Sequence, residues 1–293
     1  MGAGKRVRND ILPALKAIGI SEKDLLIVRK NYATLDDFPK IKVITDYKFL
    51  EFENIAKNII LISSIPQSDT IAALSRLLKI VTPKAVLIDT PIFDIAKYVQ
   101  ATMNEHGIEI NILEDGGLIP WLNVFNQTKL VRTRFFLSFR AFYLFHGVSS
   151  FRNIIGEYKF GGHSLLHGRI LYCHNDKRRH ILQIGSRNYA NGRFFWIMNK
   201  KIVYLGAELK WAKIFSRITL KDIIPNEYYL ELYQIAKKFD LDADSLFENP
   251  IKYMHEWKRI GLYLGLSDLL NGGEIVFHNL KIAISNELIC GIK

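Results

Sequence analysis

Two cysteines, Cys173 and Cys290, are too few for a disulfide framework, and that scarcity points to a reducing, cytoplasmic setting. Long apolar runs are missing as well. The longest, such as residues 59–62, have the length of a strand and cannot cross a membrane. The basic opening residues lead into an amphipathic pattern instead of an apolar stretch, so no secretory signal is expected. Met1-Gly2 raises the question of myristoylation, but Arg6 stands where that motif needs Ser or Thr. Repeats and low-complexity linkers are absent. Acidic residues are in short supply: 29 Asp and Glu face 40 Lys and Arg, for a net charge of +11. That balance suits an anionic partner such as nucleotide phosphates, a nucleic acid or an acidic lipid surface. Charge alone, however, speaks to solubility and non-specific attraction, not to fold.

A further absence concerns the opening itself. Met1-Gly2-Ala3-Gly4-Lys5-Arg6 is a glycine-rich turn running into a helix pattern with no apolar strand in front of it. In dinucleotide-binding folds such a turn follows a buried strand and presents a helix N-terminus to a pyrophosphate. Two expectations follow: the start is placed a few residues late, or the chain has lost the central strand of a nucleotide site.

What is present reads as α/β. Residues 9–18 place Ile11, Leu12, Leu15 and Ile18 on one helical face. Residues 25–28, 41–44, 58–63, 85–88 and 108–113 are short apolar runs of the kind a parallel sheet buries on both faces. Residues 68–80 and 93–106 are the helices between them, giving βα units. Beyond Pro120 the character changes. Residues 121–156 are rich in aromatics and read as helical; residues 169–174, 180–187, 193–198 and 201–205 read as strands. Asn175-Asp176, Asn191-Gly192 and Asn199-Lys200 are hairpin signals, so a largely antiparallel, open sheet is expected. Residues 226–270 and 280–289 are helical around a break at Asn271-Gly272-Gly273. The expectation is a Rossmann-like domain over residues 1–118 and an α+β domain over 119–293.

Gly2-x-Gly4-x-x-Val7 carries two of the three fingerprint glycines, with Val7 in place of the third. Gly2, Gly4, Lys5 and Arg6 are the candidate phosphate contacts. Arg29 and Lys30 follow the next strand, where basic residues suit a ribose 2′-phosphate, so NADP is favoured over NAD. Ser64, Pro66 and Gln67 follow the strand at 58–63, and Asp89 and Pro91 follow the one at 85–88. Ligands of open parallel sheets bind outside the carboxyl ends of strands, so both loops line one crevice.

As an ordered set, Gly-x-Gly-x-Arg with Leu12-Pro13-Ala14-Leu15, a strand leading to Pro66, and Asp89-Thr90-Pro91 resemble the Gfo/Idh/MocA (glucose-fructose oxidoreductase and inositol dehydrogenase) family. Phe145-His146-Gly147-Val148 followed by Ile154-Ile155-Gly156 extends the resemblance. It implies a Rossmann domain, a C-terminal α+β domain, and NAD(P)-dependent oxidoreduction of a small polar substrate such as a sugar. Two departures stand out. The family's Glu-Lys-Pro appears as Asp89-Thr90-Pro91, and its Asp-x-x-x-His pair falls on Phe142 and His146. His146 is then the candidate general acid or base, since histidine titrates near neutrality, with Tyr143 as an alternative donor. A structural histidine among Phe142, Tyr143, Phe145 and Phe151 is the competing reading, and a catalytically degenerate ligand-binding or scaffold protein is the competing function.

His163, His167, Cys173 and His174 invite a zinc reading, but Gly161, Gly162 and Gly168 argue for a glycine-bracketed loop, and no metal site is expected. Arg132, Arg134 and Arg140 interleave with Phe135, Phe136 and Phe139, a mixture able to stack on single-stranded nucleic acid. Helical spacing puts those three rings on one face, so they are read as core, and Lys177 to His180 as a hairpin tip. Neither a nucleic acid nor a membrane is expected as partner; pairing with a second copy through the C-terminal sheet is.

Overall fold

The computed structural model describes residues 2, 4–31, 35–45, 59–114, 116–122, 124, 134–138, 148–150, 152–153, 159–165, 168–175, 178–185, 193–198, 201–209, 215–273 and 277–289. A π-helical turn, Val7–Ile11, runs into helix α1 (Leu12–Ile18). The widening has a local cause. Pro13 has no N–H to offer the carbonyl four residues back and its ring crowds that oxygen, so the ladder loosens and Leu12 N–H reaches Val7 O. Strands β1 (Leu26–Val28), β2 (Lys42–Ile44) and β3 (Ile60–Ser63) follow. Helix α2 (Gln67–Leu77), β4 (Ala85–Asp89), α3 (Ala96–His106) and β5 (Ile110–Leu113) complete the series. Every residue of β5, and all of β4 before Asp89, is buried. These strands are therefore mostly apolar instead of alternating, with Asn111 of β5 a buried polar exception.

In the second half, β6 (Arg134–Ser138), β7 (Lys159–Leu165), β8 (Gly168–Asn175), β9 (Arg178–Gly185), β10 (Arg193–Met198), β11 (Lys201–Gly206) and β12 (Phe215–Arg217) form one sheet. Its order is β12-β11-β10-β6-β9-β8-β7. The β7–β8, β8–β9, β10–β11 and β10–β6 pairs are antiparallel; β6–β9 and β11–β12 are parallel.

Several expectations are corrected here. Residues 134–138 lie inside a stretch read as helical, yet they form β6 between β9 and β10. Residues 135 and 136 are successive strand positions, in register with Phe195 and Phe194 of β10, and not part of a helical stripe. Residues 161–163, read as loop, belong to β7, with Gly161 opposite Tyr172 and Gly162 opposite Leu171. Lys177 lies outside the described residues, while Arg178 to His180, read as a hairpin tip, are the first residues of β9, Arg178 pairing with Asn175 at the end of the β8–β9 hairpin. Asn191-Gly192 lies outside the described residues, and the strands before and after it, β9 and β10, are not neighbours, because β6 stands between them. The other two turn signals do join paired neighbours: Asn175 faces Arg178, and Met198 faces Lys201. His167 lies outside the described residues, and among those that are described no cluster of His, Cys, Asp and Glu could hold a metal.

Helices α4 (Asn226–Lys238), α5 (Ala243–Glu248) and α6 (Met254–Leu270) come next, then a short strand β13 (His278–Asn279) and α7 (Leu280–Ile289). The Phe247 ring lies 4.5 Å from that of Tyr229 and meets Trp257 edge-on at 5.2 Å. Edge contacts of this kind bring the positive ring rim to the negative face. Gly261 of α6 lies directly on the Leu118 carbonyl, where a Cβ has no room.

The chain divides into one unit of residues 1–114, 262–288 and 292–293 and another of 115–261 and 289–291. The boundary expected after residue 118 falls slightly earlier, and the first unit takes back the C-terminal half of α6, β13 and most of α7. Within it, β13, β5, β4 and β3 form one sheet in that order, parallel except for β13, while β1 and β2 form a separate parallel pair. Its core joins Leu74 and Leu77 of α2 to Val86, Ile88, Ile110 and Ile112, and Leu280 and Ala283 of α7 complete the cluster. Each such fully buried Leu or Ile contributes about 1.5–3 kcal/mol. Among the described residues, no helix is long and apolar enough to cross a membrane.

Candidate functional site

The carboxyl ends of β1, β3 and β4 carry the loops singled out from the sequence, and Gly2 ties the first two together. Its N–H donates to Val28 O at the end of β1, at 3.0 Å. On its other side, a Cβ built on Gly2 would stand 2.5 Å from the Ser64 carbonyl oxygen, just beyond β3. Gly2 has φ +88°, a conformation that L side chains rarely adopt. Glycine is thus required here twice over, by backbone angle and by contact. Gly4 differs: a Cβ there would meet nothing within 4 Å. The turn therefore leaves open space beside Gly4, at the start of a helix, where the first N–H groups have no partner inside the helix.

Four side chains converge beside this turn. The Ser64 hydroxyl donates to Asp89 Oδ2 at 2.8 Å. The Arg6 guanidinium donates to Asp10 Oδ2 at 3.0 Å and lies 3.7 Å from Asp89 Oδ2. All three charged groups are largely buried, the Asp10 side chain being 7% exposed. Asp10, one helical turn beyond Arg6 and inside the widened π-turn, is the residue that sequence reasoning missed. Its signal was the Arg-x-x-x-Asp spacing, which brings two side chains together on a helix. Arg6 is consequently held by carboxylates of its own chain, whereas Lys5 is exposed at the helix start.

The neighbouring loops are fixed by backbone bonds. Arg29 N–H donates to Ile44 O at 3.0 Å, which continues the β1–β2 pairing and leaves Arg29 partly buried with Lys30 exposed. Pro66 precedes α2, and its carbonyl accepts from the Thr70 hydroxyl at 3.1 Å. The Gln67 side-chain oxygen accepts Asp94 N–H at 3.2 Å, linking the start of α2 to the loop after β4. The Thr90–Pro91 peptide is cis, and the Thr90 hydroxyl donates to Leu113 O at 3.5 Å. Gly2, Arg6, Ser64 and Asp89 are thereby assembled at one place. His146, Tyr143 and Phe142 lie outside the described residues.

An anionic group suits the Gly2–Gly4 turn on structural grounds: open space at Gly4, a helix start and the exposed Lys5. The paired carboxylates of Asp10 and Asp89 balance Arg6 and leave that cation turned inward.

No family model matches the chain, and no curated protein sequence matches it. Solved structures do share its fold. A Thermotoga maritima protein described as an oxidoreductase superposes with a TM-score of 0.60 at 13% identity, over 99% of this chain and 93% of that one. A Klebsiella pneumoniae protein with the same description gives 0.57 at 10% identity, over 99% and 89%. The WlbA dehydrogenase of Thermus thermophilus, solved in complex with NAD and UDP-GlcNAcA, gives 0.55 at 11% identity, over 98% and 90%. The chain therefore has the overall fold of these proteins.

Proposed function

We propose that this chain binds a nicotinamide dinucleotide across the carboxyl ends of β1, β3 and β4 and moves hydride to or from a small polar substrate. The observation that carries the reading is Gly2. It is wedged between the ends of two parallel strands at φ +88°, next to a bare Gly4 at a helix start. The fold shared with a dehydrogenase that holds NAD and a sugar nucleotide supports the same chemistry and a sugar-like substrate.

In this reading Gly2, Gly4 and Lys5 receive the pyrophosphate, with Arg6 held rigid beneath the turn by Asp10 and Asp89. Arg29 and Lys30 take the adenosine ribose and favour a 2′-phosphate, hence NADP. Ser64, Pro66, Gln67, Asp89 and Pro91 line the nicotinamide side. The coenzyme supplies the hydride chemistry; the chain orients it, and His146 or Tyr143 holds the proton that accompanies the hydride. The protein acts in the cytoplasm on a small molecule, binds neither nucleic acid nor membrane, and pairs with a second copy through the sheet of its second unit.

The test is a fluorescence titration of the full-length protein with NADPH and with NADH. Saturable enhancement of nicotinamide emission is expected, tighter for NADPH, and Arg29→Ala with Lys30→Ala removes the difference. No response to either coenzyme ends the reading.

One observation favours a second reading, a ligand-binding protein without turnover. Thr90 occupies the position of the family lysine, and its hydroxyl is directed to the Leu113 carbonyl. Coenzyme binding with no turnover across a panel of sugar and sugar-nucleotide substrates would select it.

A further inference from the structure

Asn271-Gly272-Gly273, the break that follows α6, closes that helix with a left-handed cap. Gly272 has φ +76°. Its N–H donates to Leu269 O at 3.4 Å, and Gly273 N–H donates to Asp268 O at 2.8 Å. These are the two bonds of a Schellman motif, and they satisfy carbonyls that the last turn leaves open. Gly273 fits tightly, since a Cβ there would stand 3.2 Å from the Asp268 carbonyl oxygen. At Gly272 a Cβ would meet nothing within 4 Å. All three residues are exposed.

An asparagine followed by glycine brings a side-chain amide within reach of the next backbone nitrogen, with no Cβ in the way. The setting here leaves that pair open to reaction. The Asn271 side chain is in solvent, and its Nδ2 meets Ser267 Oγ only at 3.5 Å. The Gly272 N–H bond, at 3.4 Å, is longer than a good N–H···O bond. Bringing the Gly272 nitrogen onto Asn271 Cγ thus requires the cap to open, not the unit to unfold. One firm bond and one weak one are lost, so roughly one molecule in ten is open at any moment.

We infer that Asn271 is a site of spontaneous covalent modification, with water as the co-reactant, and that its product uncaps α6. The Gly272 nitrogen gives its proton to hydroxide and bonds to Asn271 Cγ. The Cγ–Nδ2 bond breaks, and Nδ2 leaves as ammonia with a proton taken from water. Water then opens the cyclic imide. Cleavage between the Gly272 nitrogen and Cγ gives aspartate; cleavage between that nitrogen and the Asn271 backbone carbonyl carbon gives isoaspartate, whose chain runs through Cβ and Cγ. Nothing is oxidised or reduced. Either product places a carboxylate at the negative end of the α6 dipole, three residues from Asp268. Isoaspartate also lengthens the backbone by one carbon, which moves Gly272 and Gly273 off the Leu269 and Asp268 carbonyls. The chain beyond the cap is part of the first unit's core: Phe277 lies against Gly265 of α6, β13 pairs with β5, and Leu280 belongs to the core cluster.

The full chain, its Asn271→Gln variant and a synthetic peptide of residues 267–277 are aged side by side in mildly alkaline buffer. Coenzyme is left out throughout, so the outcome bears on Asn271 and not on the proposed function. Proteolytic fragments are mapped by mass spectrometry with electron-transfer cleavage, which separates isoaspartate from aspartate. Asn271 is expected to convert in the folded chain roughly tenfold more slowly than in the peptide, chiefly to isoaspartate. The glutamine variant should stay intact at that position, because its ring would be one atom larger. Amide hydrogen exchange at Gly272, Gly273 and Phe277 should quicken by roughly tenfold or more in the aged wild type and hold in the aged variant. Conversion slower than in the peptide by roughly a hundredfold or more would mean that the unit must unfold first, and would overturn the site. Conversion that leaves exchange at these amides unaltered would overturn the uncapping.

Discussion

Replacing Gly2 and Gly4 one at a time by alanine separates what the fold needs from what a bound phosphate needs. At Gly2 an L side chain at φ +88° costs about 1–2 kcal/mol. Its Cβ would also stand 2.5 Å from the Ser64 carbonyl oxygen and 2.8 Å from Ile65 Cγ2. Forcing those atoms apart costs a further ~1–3 kcal/mol. A cheaper escape exists. The residue can slide out of the gap between the two strand ends and give up its 3.0 Å hydrogen bond to Val28, a loss of about 1 kcal/mol. The smaller cost wins, so Gly2→Ala is expected to destabilise the first unit by about 1–2 kcal/mol and to displace the turn. At Gly4 a Cβ meets nothing within 4 Å, so stability should stay within about 0.5 kcal/mol of wild type. That same Cβ would project into the space assigned to the pyrophosphate. Coenzyme affinity should therefore fall at least tenfold, equivalent to about 1.4 kcal/mol. Urea denaturation and NADPH fluorescence titration on the same samples give both numbers. Undiminished binding by Gly4→Ala would refute the phosphate role of the turn, and unaltered stability of Gly2→Ala would refute its wedged geometry.

Three other expectations rest on the described residues. Gly261→Ala gains about 1 kcal/mol of helix propensity but drives a methyl into the Leu118 carbonyl, costing about 3 kcal/mol or more; a fall in the thermal midpoint of about 5 °C or more is expected, and a rise would contradict the packing. Tyr228 donates to Pro120 O at 3.2 Å, and burial, with Glu231 adding to it, pushes its phenol up to about 12. Its folded value exceeds the unfolded one of about 10, so its contribution is complete below pH 10 and is lost as pH rises towards 12. The loss is at most about 2 kcal/mol, because the phenol is partly open to water. Tyr228→Phe should flatten the alkaline limb of stability against pH, and an unchanged limb would contradict the assignment. A double-mutant cycle of Arg6→Gln with Asp10→Asn should give a coupling of about 1–2 kcal/mol in urea unfolding; zero coupling would show that their 3.0 Å contact holds nothing in place.

Much of the first unit was legible from residue order. The runs that became β3, β4 and β5 are mostly apolar, and β4 and β5, covered on both faces, are written that way for that reason. The helices between them show their 3.6-residue period, and the spacing of Gly2 and Gly4 marks a turn. What position along the chain could not disclose was which distant segments meet. Residues 134–138 look helical when read locally and are a strand because β9 and β10 flank them. Asn191-Gly192 has hairpin chemistry, yet the strands it connects are held apart by β6. Gly2 is indispensable only because Val28 and Ser64 close on it from two strands, and Asp10 matters because Arg6 turns inward to it beside Asp89. Local composition sets what a segment can become. Pairing, burial and charge compensation depend on neighbours far away in sequence, and only the folded chain brings those together.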